Sequence, residues 1–216
     1  EDQAVASKRT IAVTGQGEVQ AVPDRVVVSF AVETTAARAG EAAAENAKRS
    51  AAVSTALKAK LAAEDTVTTS RYVIEPRYDT TRTGEQREPR ITGYVARNEV
   101  TVESRQIEQV GALVDTAIGA GANRVGGLQF TLAKRADALH TALEKAGAEA
   151  RAQAESVARG LGVRLNGVLS ASTGAVPVLM PRRFEMAAMS ADRATTPIEP
   201  GELTVSATLQ VTYEIE

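Results

Sequence analysis

The patterning of this chain predicts an α+β protein, and three stretches carry the prediction. From Leu203 to Ile215 apolar and polar residues alternate without a break, with Leu203, Val205, Ala207, Leu209, Val211, Tyr213 and Ile215 on one side, as in a strand with one buried face. Arg25 to Thr34 alternates in the same way through Val26, Val28, Phe30 and Val32. Ala136 to Leu161 instead places Leu139, Leu143, Ala146, Ala150, Ala154, Val157 and Leu161 at spacings of three and four and is closed by Gly162, which is the pattern of a helix with a C-terminal glycine.

The remaining elements follow in order. Lys8 to Val19 is β-prone but interrupted by Gly15 and Gly17, which points to a bulge or a close backbone approach. Val22-Pro23-Asp24 reads as a turn, so this strand and Arg25 to Thr34 are expected to form a hairpin. Ala36 to Ala63 reads as a helix with Ala43, Ala47, Val53, Leu57 and Leu61 near one stripe. Val67 to Tyr78 and Tyr94 to Glu103 are strands joined by the polar stretch Asp79 to Arg90. Ser104 is placed to cap a helix carrying Ile107, Val110, Val114, Ala117 and Ile118, which Gly121 ends in the left-handed conformation. Leu128, Phe130 and Leu132 mark a further strand, and Val163 to Ser172 another. The resulting order is ββαββαβαββ: two small α/β sandwiches sharing long antiparallel strands, the first ββαβ-like over residues 1–85 and the second ferredoxin-like over 86–216. The connection Thr173 to Gly201 is a long Met- and Pro-rich loop.

Composition narrows the function. Apolar residues make up 44% of the 216-residue chain but aromatics only 3%, so the core is assembled from Val, Leu, Ile and Ala in close contact. Twenty-five basic residues against twenty-seven acidic leave a net charge of −2, with no block of like charge; a nucleic-acid surface needs a clustered basic face, so no nucleic-acid partner is expected. The absence of cysteine excludes thiol catalysis, disulfides and thiolate metal sites. No run of apolar residues is long enough for a transmembrane helix.

Chemistry-bearing residues are sparse. The sole histidine, His140, has Asp137 as its one local carboxylate and lies off the apolar stripe, so it reads as an exposed structural residue and not as a general base. One histidine without cysteine leaves no usual zinc or copper ligand set. Gly15-x-Gly17 lacks the third glycine and the helix of a dinucleotide loop, and Gly126-Gly127 lacks the Lys-Ser/Thr of a phosphate loop. No catalytic residue, cofactor or metal is assigned. Asn123 beside Gly121 is expected to support a tight turn. Arg97, Glu99, Thr101 and Glu103 alternate opposite Asn98, Val100 and Val102; this is either a solvated face or the lining of a cavity or pore, with Arg97 and Asn98 the residues to test. All three methionines, Met180, Met186 and Met189, fall in the long connection together with Leu179 and Phe184. That apolar loop serves as a cap on its own core, as a subunit contact, or as a copper(I)-binding or oxidisable segment.

The stretch GYVARNEVTVESRQIEQVGALVDTAIGAGANRV, with Gly93, Tyr94, Ala96, Asn98, Gly111, Leu113, Asp115, Gly121, Asn123 and Val125, resembles the SIMPL-domain family. TGQGEV from Thr14 to Val19, Pro23-Asp24, Ile74-x-Pro76-x-Tyr78, the Ala-Arg-Ala-x-Ala-Glu run ending at Glu155, and TPIEPGE from Thr196 to Glu202 follow in the family's order, so that at this level residues 9–216 are one domain. The resemblance supplies no active site. It implies export to the periplasm or cell exterior, for which the polar start at Glu1 suggests a processed terminus, and a part in envelope or oxidative-stress physiology. The expectation is therefore a non-enzymatic, exported protein that self-assembles into a ring- or channel-like homo-oligomer; the alternative is a monomeric or dimeric binding module with the Met-rich loop as a lid over an apolar ligand or peptide.

Overall fold

A computed structural model describes residues 9–79, 90–174, 179–181, 198 and 200–216, with the backbone alone at 179–181. Among the described residues eight strands and three helices run in the order β1 (Thr10–Ala21), β2 (Arg25–Ala36), α1 (Ala39–Lys58), β3 (Thr66–Tyr78), β4 (Ile91–Ser104), α2 (Val110–Gly119), β5 (Arg124–Thr131), α3 (Arg135–Leu161), β6 (Leu165–Thr173), β7 (Leu179–Pro181) and β8 (Leu203–Ile215). A short 3₁₀ turn, Ile107–Gln109, leads into α2. The α+β class holds; the short strand β7, inside the long connection, is an addition to the expected order.

Two compact units are formed, and neither is a continuous half of the chain. One contains β2, α1, β3, β4, α2 and β5, with an antiparallel sheet in the order β3-β4-β2-β5. A βαββαβ chain with that strand order is the ferredoxin-like arrangement. The arrangement expected for residues 86–216 is thus present, but over residues 24–131. The expected division at residues 85 and 86, which lie outside the described residues, does not separate the units, since β3 and β4 on either side are ladder neighbours. The other unit contains β1, α3, β6, β7 and β8, with sheet order β1-β8-β6 and β7 beside β8. No described strand belongs to both sheets, so long strands are not shared.

The predicted hairpin of β1 and β2 does not form. All twelve residues of β1 pair with β8, from Thr10 opposite Glu214 to Ala21 opposite Leu203, whereas β2 lies between β4 and β5. The register of β1 is unbroken through Gly15 and Gly17, so those glycines do not mark a bulge. They mark the other expected feature, a close approach. A Cβ on Gly15 would stand 2.0 Å from the Ala146 carbonyl oxygen, and one on Gly17 would stand 2.0 Å from that of Ala142.

That approach sets which face of α3 is buried. Ala142, Ala146, Ala150, Ala154 and Ala158 form a ridge at a spacing of four, while Val157 and Leu161 of the predicted stripe are exposed. Only a methyl group fits where the helix backbone touches the strand. The C-terminus of α3 is closed by Gly162 at φ 69°, with the Val163 N–H donating to the Ala158 carbonyl, and α2 ends the same way at Gly121, φ 115°, with Ala122 N–H donating to Ala117. Both are Schellman closures.

In the ferredoxin-like unit the core joins Val26, Val28, Phe30 and Val32 of β2 with Val100 and Val102 of β4 and with Val53, Leu57, Val110 and Val114 of the two helices. The buried face of α1 is Ala42, Asn46, Ser50, Val53 and Leu57; Ala47, expected in the stripe, is exposed, and a fully buried asparagine stands in its place. Its amide nitrogen donates to the carbonyls of Val32 (2.8 Å) and Ala96 (2.9 Å), tying the helix to two adjacent strands. Ser104 ends β4 and is not a helix cap residue. Its hydroxyl accepts from Gln106 N–H and donates to Asp65, whose other oxygen accepts from Arg105 N–H.

Candidate functional site

The sheet of the ferredoxin-like unit buries the side that carries Val100 and Val102; its opposite side carries the charged residues. Pairing places Glu33 of β2 opposite Arg97 of β4, and Ala31 opposite Arg124 of β5. Arg97 donates through Nε (3.1 Å) and Nη2 (2.6 Å) to Glu33 Oε2, and Arg124 Nε lies 3.2 Å from the same oxygen. One carboxylate oxygen thus sits between two guanidinium groups. Asn123 fixes the Glu33 backbone from the other direction, accepting its N–H at 2.8 Å and donating to its carbonyl at 2.7 Å. Asn123 therefore clamps a neighbouring strand; it has no positive φ and is not the left-handed turn residue that its neighbourhood suggested.

Arg97 lines two shallow cavities on this face. The smaller, about 270 Å³, also has Glu33, Arg71, Glu75, Arg77 and Arg124 on its wall. The larger, about 580 Å³, has Ser29, Glu99, Asn123, Arg124 and Gly127. Nearby, Ser29 and Thr101 share a hydrogen bond at 3.2 Å, and Arg25 pairs with Glu103. These groups offer fixed charge and hydrogen-bond donors for a polar partner. Among the described residues no group of three His, Cys, Asp or Glu side chains converges as a metal site would require.

Of the two polar residues singled out from sequence, the structure brings Arg97 to this cluster and puts Asn98 on the opposite, helix-facing side, where its Oδ1 is buried without a hydrogen-bond partner among the described residues. They do not line one surface. Glu33 and Arg124 complete the cluster and were not singled out from the sequence; Glu33 stands there as a lone carboxylate after the apolar alternation of β2. His140 is exposed on α3. Of the proposed contact residues, Leu179 and Met180 lie in β7, paired with Val205 and Thr204, while Phe184, Met186 and Met189 fall outside the described residues.

A second feature lies at the β3 edge. The elements Ile74-x-Pro76-x-Tyr78 and Gly93-Tyr94-x-Ala96-x-Asn98, separate in sequence, are cross-strand neighbours, with Ile74 opposite Ala96 and Pro76 opposite Tyr94. Their outer part leaves Tyr72, Ile74, Tyr78 and Ile91 exposed by 51%, 39%, 48% and 45%.

No helix among the described residues is long and apolar enough to cross a membrane. Comparison with known proteins agrees with the family read from the sequence. The chain is 29% identical over 221 residues to a 26 kDa periplasmic immunogenic protein of Brucella melitensis, covering 100% of this chain and 88% of that one, and equally so to the protein of that name from Brucella abortus. It is also 29% identical over 160 residues to the uncharacterized protein YggE of Edwardsiella ictaluri, covering 74% of this chain and 66% of that one. The periplasmic location carried in the Brucella name matches the expected export of this chain. Residues 11–213 match the SIMPL family model, described as a protein of unknown function (DUF541), and the chain belongs to that family.

Proposed function

We propose that the chain is a non-enzymatic periplasmic protein that self-assembles into a closed, ring- or channel-like homo-oligomer, with a role in envelope or oxidative-stress physiology that rests on the family resemblance. The observation that carries self-assembly is the exposed strip Tyr72, Ile74, Tyr78 and Ile91. In a chain with 3% aromatic residues, two exposed tyrosines and Ile74 on the edge strand β3, with Ile91 of β4 exposed beside them, are poorly used unless something covers them. Head-to-tail closure needs a second, different patch. The Leu179, Met180, Phe184, Met186 and Met189 segment supplies it, beginning at β7 on the side of β8 away from β1. Arg97 and its ion-pair cluster form a polar lining in such an assembly.

Light scattering coupled to size-exclusion chromatography tests this reading. The unmodified chain is expected to elute as a closed assembly, and Tyr72→Asp with Ile74→Asp, or Phe184→Asp with Met186→Asp, to dissociate it, because an unpaired charge at a packed contact is costly. A monomeric wild-type protein, or two double variants of unchanged mass, overturns it.

A further inference from the structure

The unit containing α3 carries a groove of about 590 Å³ between the C-terminal half of α3 and β6, within the size range of small-molecule sites. Its floor is apolar: Ala158, Val163, Leu165, Val168 and Tyr213 line it, and four of these five, Val168 apart, belong to or pack on the core of that unit. The floor ends in the open, with Val168 60% exposed. Three arginines, Arg151, Arg159 and Arg164, stand at the wall against one carboxylate, Glu155.

The charges are unequally matched. Glu155 accepts a hydrogen bond from Arg151 at 2.9 Å, and that bond and the carboxylate's charge raise the guanidinium's pKa above its ordinary value. Among the described residues the Arg159 guanidinium reaches only the hydroxyl of Ser156, at 3.2 Å. Neither the Arg159 nor the Arg164 guanidinium forms an ion pair with a carboxylate among the described residues, although the Arg164 main-chain N–H donates to the Glu216 main-chain oxygen at 3.0 Å. An apolar trough with two uncompensated cations at its edge is complementary to a molecule with an aliphatic body and one anionic head.

The shape of β6 excludes the more common occupant of a groove beside an edge strand. An added peptide strand needs a regular ladder edge, but the register of β6 against β8 shifts twice, between Leu165 and Gly167 and between Val168 and Ser170. Bulges of this kind turn an edge away from further pairing and redirect its side chains.

We infer that the groove bounded by α3 and β6 is a binding site for an amphiphilic monoanion, an aliphatic carboxylate whose tail lies on Leu165, Val168 and Tyr213 and whose head meets Arg159 and Arg164. None of the residues lining this groove is among those assigned to self-assembly.

Isothermal titration of the full chain at low ionic strength with three probes tests it. These are laurate, dodecyl maltoside with the same tail and an uncharged head, and butyrate with the same head and a short tail. Laurate is expected to bind most tightly, and Arg159→Gln with Arg164→Gln to weaken it by about tenfold while leaving dodecyl maltoside unaffected. Both arginines are exposed, so the variant is expected to melt like the parent; if it does not fold, the loss of laurate affinity by the unmodified chain on adding salt reads the same charge contribution. Val168→Asp is expected to weaken laurate binding with both arginines in place. Absence of laurate binding, equal affinity for laurate and dodecyl maltoside, butyrate binding as tightly as laurate, or an acidic peptide binding in place of laurate overturns the proposal.

Discussion

Gly15 lies directly against the backbone of Ala146: a Cβ built on the glycine would stand 2.0 Å from the alanine's carbonyl oxygen and 2.6 Å from the next turn's Ala150 nitrogen. A contact this close is made by helix backbone, which cannot rotate away as a side chain can. Two glycines at alternate positions of one strand, and alanines at every fourth position of one helix, are a single packing device written in two distant parts of the chain.

The first prediction follows from that contact. Gly15→Ala and Gly17→Ala should each destabilise the fold by about 3 kcal/mol, the upper range for overpacking a tight interior. Gly40→Ala is the control. It lies exposed in the first turn of α1 with nothing within 4 Å of an added Cβ, and should be neutral or stabilising by up to about 1 kcal/mol, as for glycine replaced by alanine in an unstrained helix. Thermal melts that rank the three variants otherwise contradict the packing.

Asn46 yields the second. Its amide donates to two carbonyls of adjacent strands and its Oδ1 accepts from Ser50, in a site with no exposure. Asn46→Ala should cost about 2–3 kcal/mol, the loss of buried hydrogen bonds with partners left unpaired. Asn46→Asp should cost more although it keeps the shape, because a carboxylate faces two carbonyl oxygens with nothing to donate. Denaturant titration separates the two, and an aspartate variant more stable than the alanine variant would show that the amide is not aimed as described.

These two sites also mark where the sequence was legible. The last strand was legible because alternation needs no knowledge of its partners, and the buried residues fall on the face it assigned, from Leu203 through Tyr213. The ridge on α3 was not. Hydrophobicity favours Val157 and Leu161 for burial, whereas the glycines of β1, more than a hundred residues earlier, leave room only for alanine. Arg97 was legible as one of an alternating charged set, but its partners come from β2 and β5, and only the antiparallel register brings Glu33 and Arg124 to it. The hairpin of β1 and β2 failed for the same reason: adjacency in sequence competed with a twelve-residue ladder to a strand at the far end of the chain.

His140 carries a third prediction. It is exposed on α3, and His140→Ala should change stability by no more than about 0.5 kcal/mol, as at a surface position without special contacts. It should also leave assembly mass unchanged. A folded His140→Ala protein that loses its cellular role would bring a histidine-dependent reaction back into consideration.

The final prediction concerns β8, which pairs with β1 on one side and with β6 and β7 on the other. Val211 is 4% exposed and packs with Ile11, Tyr213 and the alanines of α3, while Gln210 is exposed on the opposite face. Val211→Asp should cost more than about 3 kcal/mol, since it removes a buried branched side chain and puts an unpaired charge in its place. Gln210→Asp should stay within about 0.5 kcal/mol of the parent, the usual range for a surface substitution. Truncation after Glu202 removes the strand to which β1, β6 and β7 all pair, so the unit containing α3 should lose its cooperative transition. The ferredoxin-like unit, whose sheet uses none of β8, should keep one. Circular dichroism melts resolve the two units in the truncated chain; two retained transitions would mean that β8 is not the central strand of its sheet.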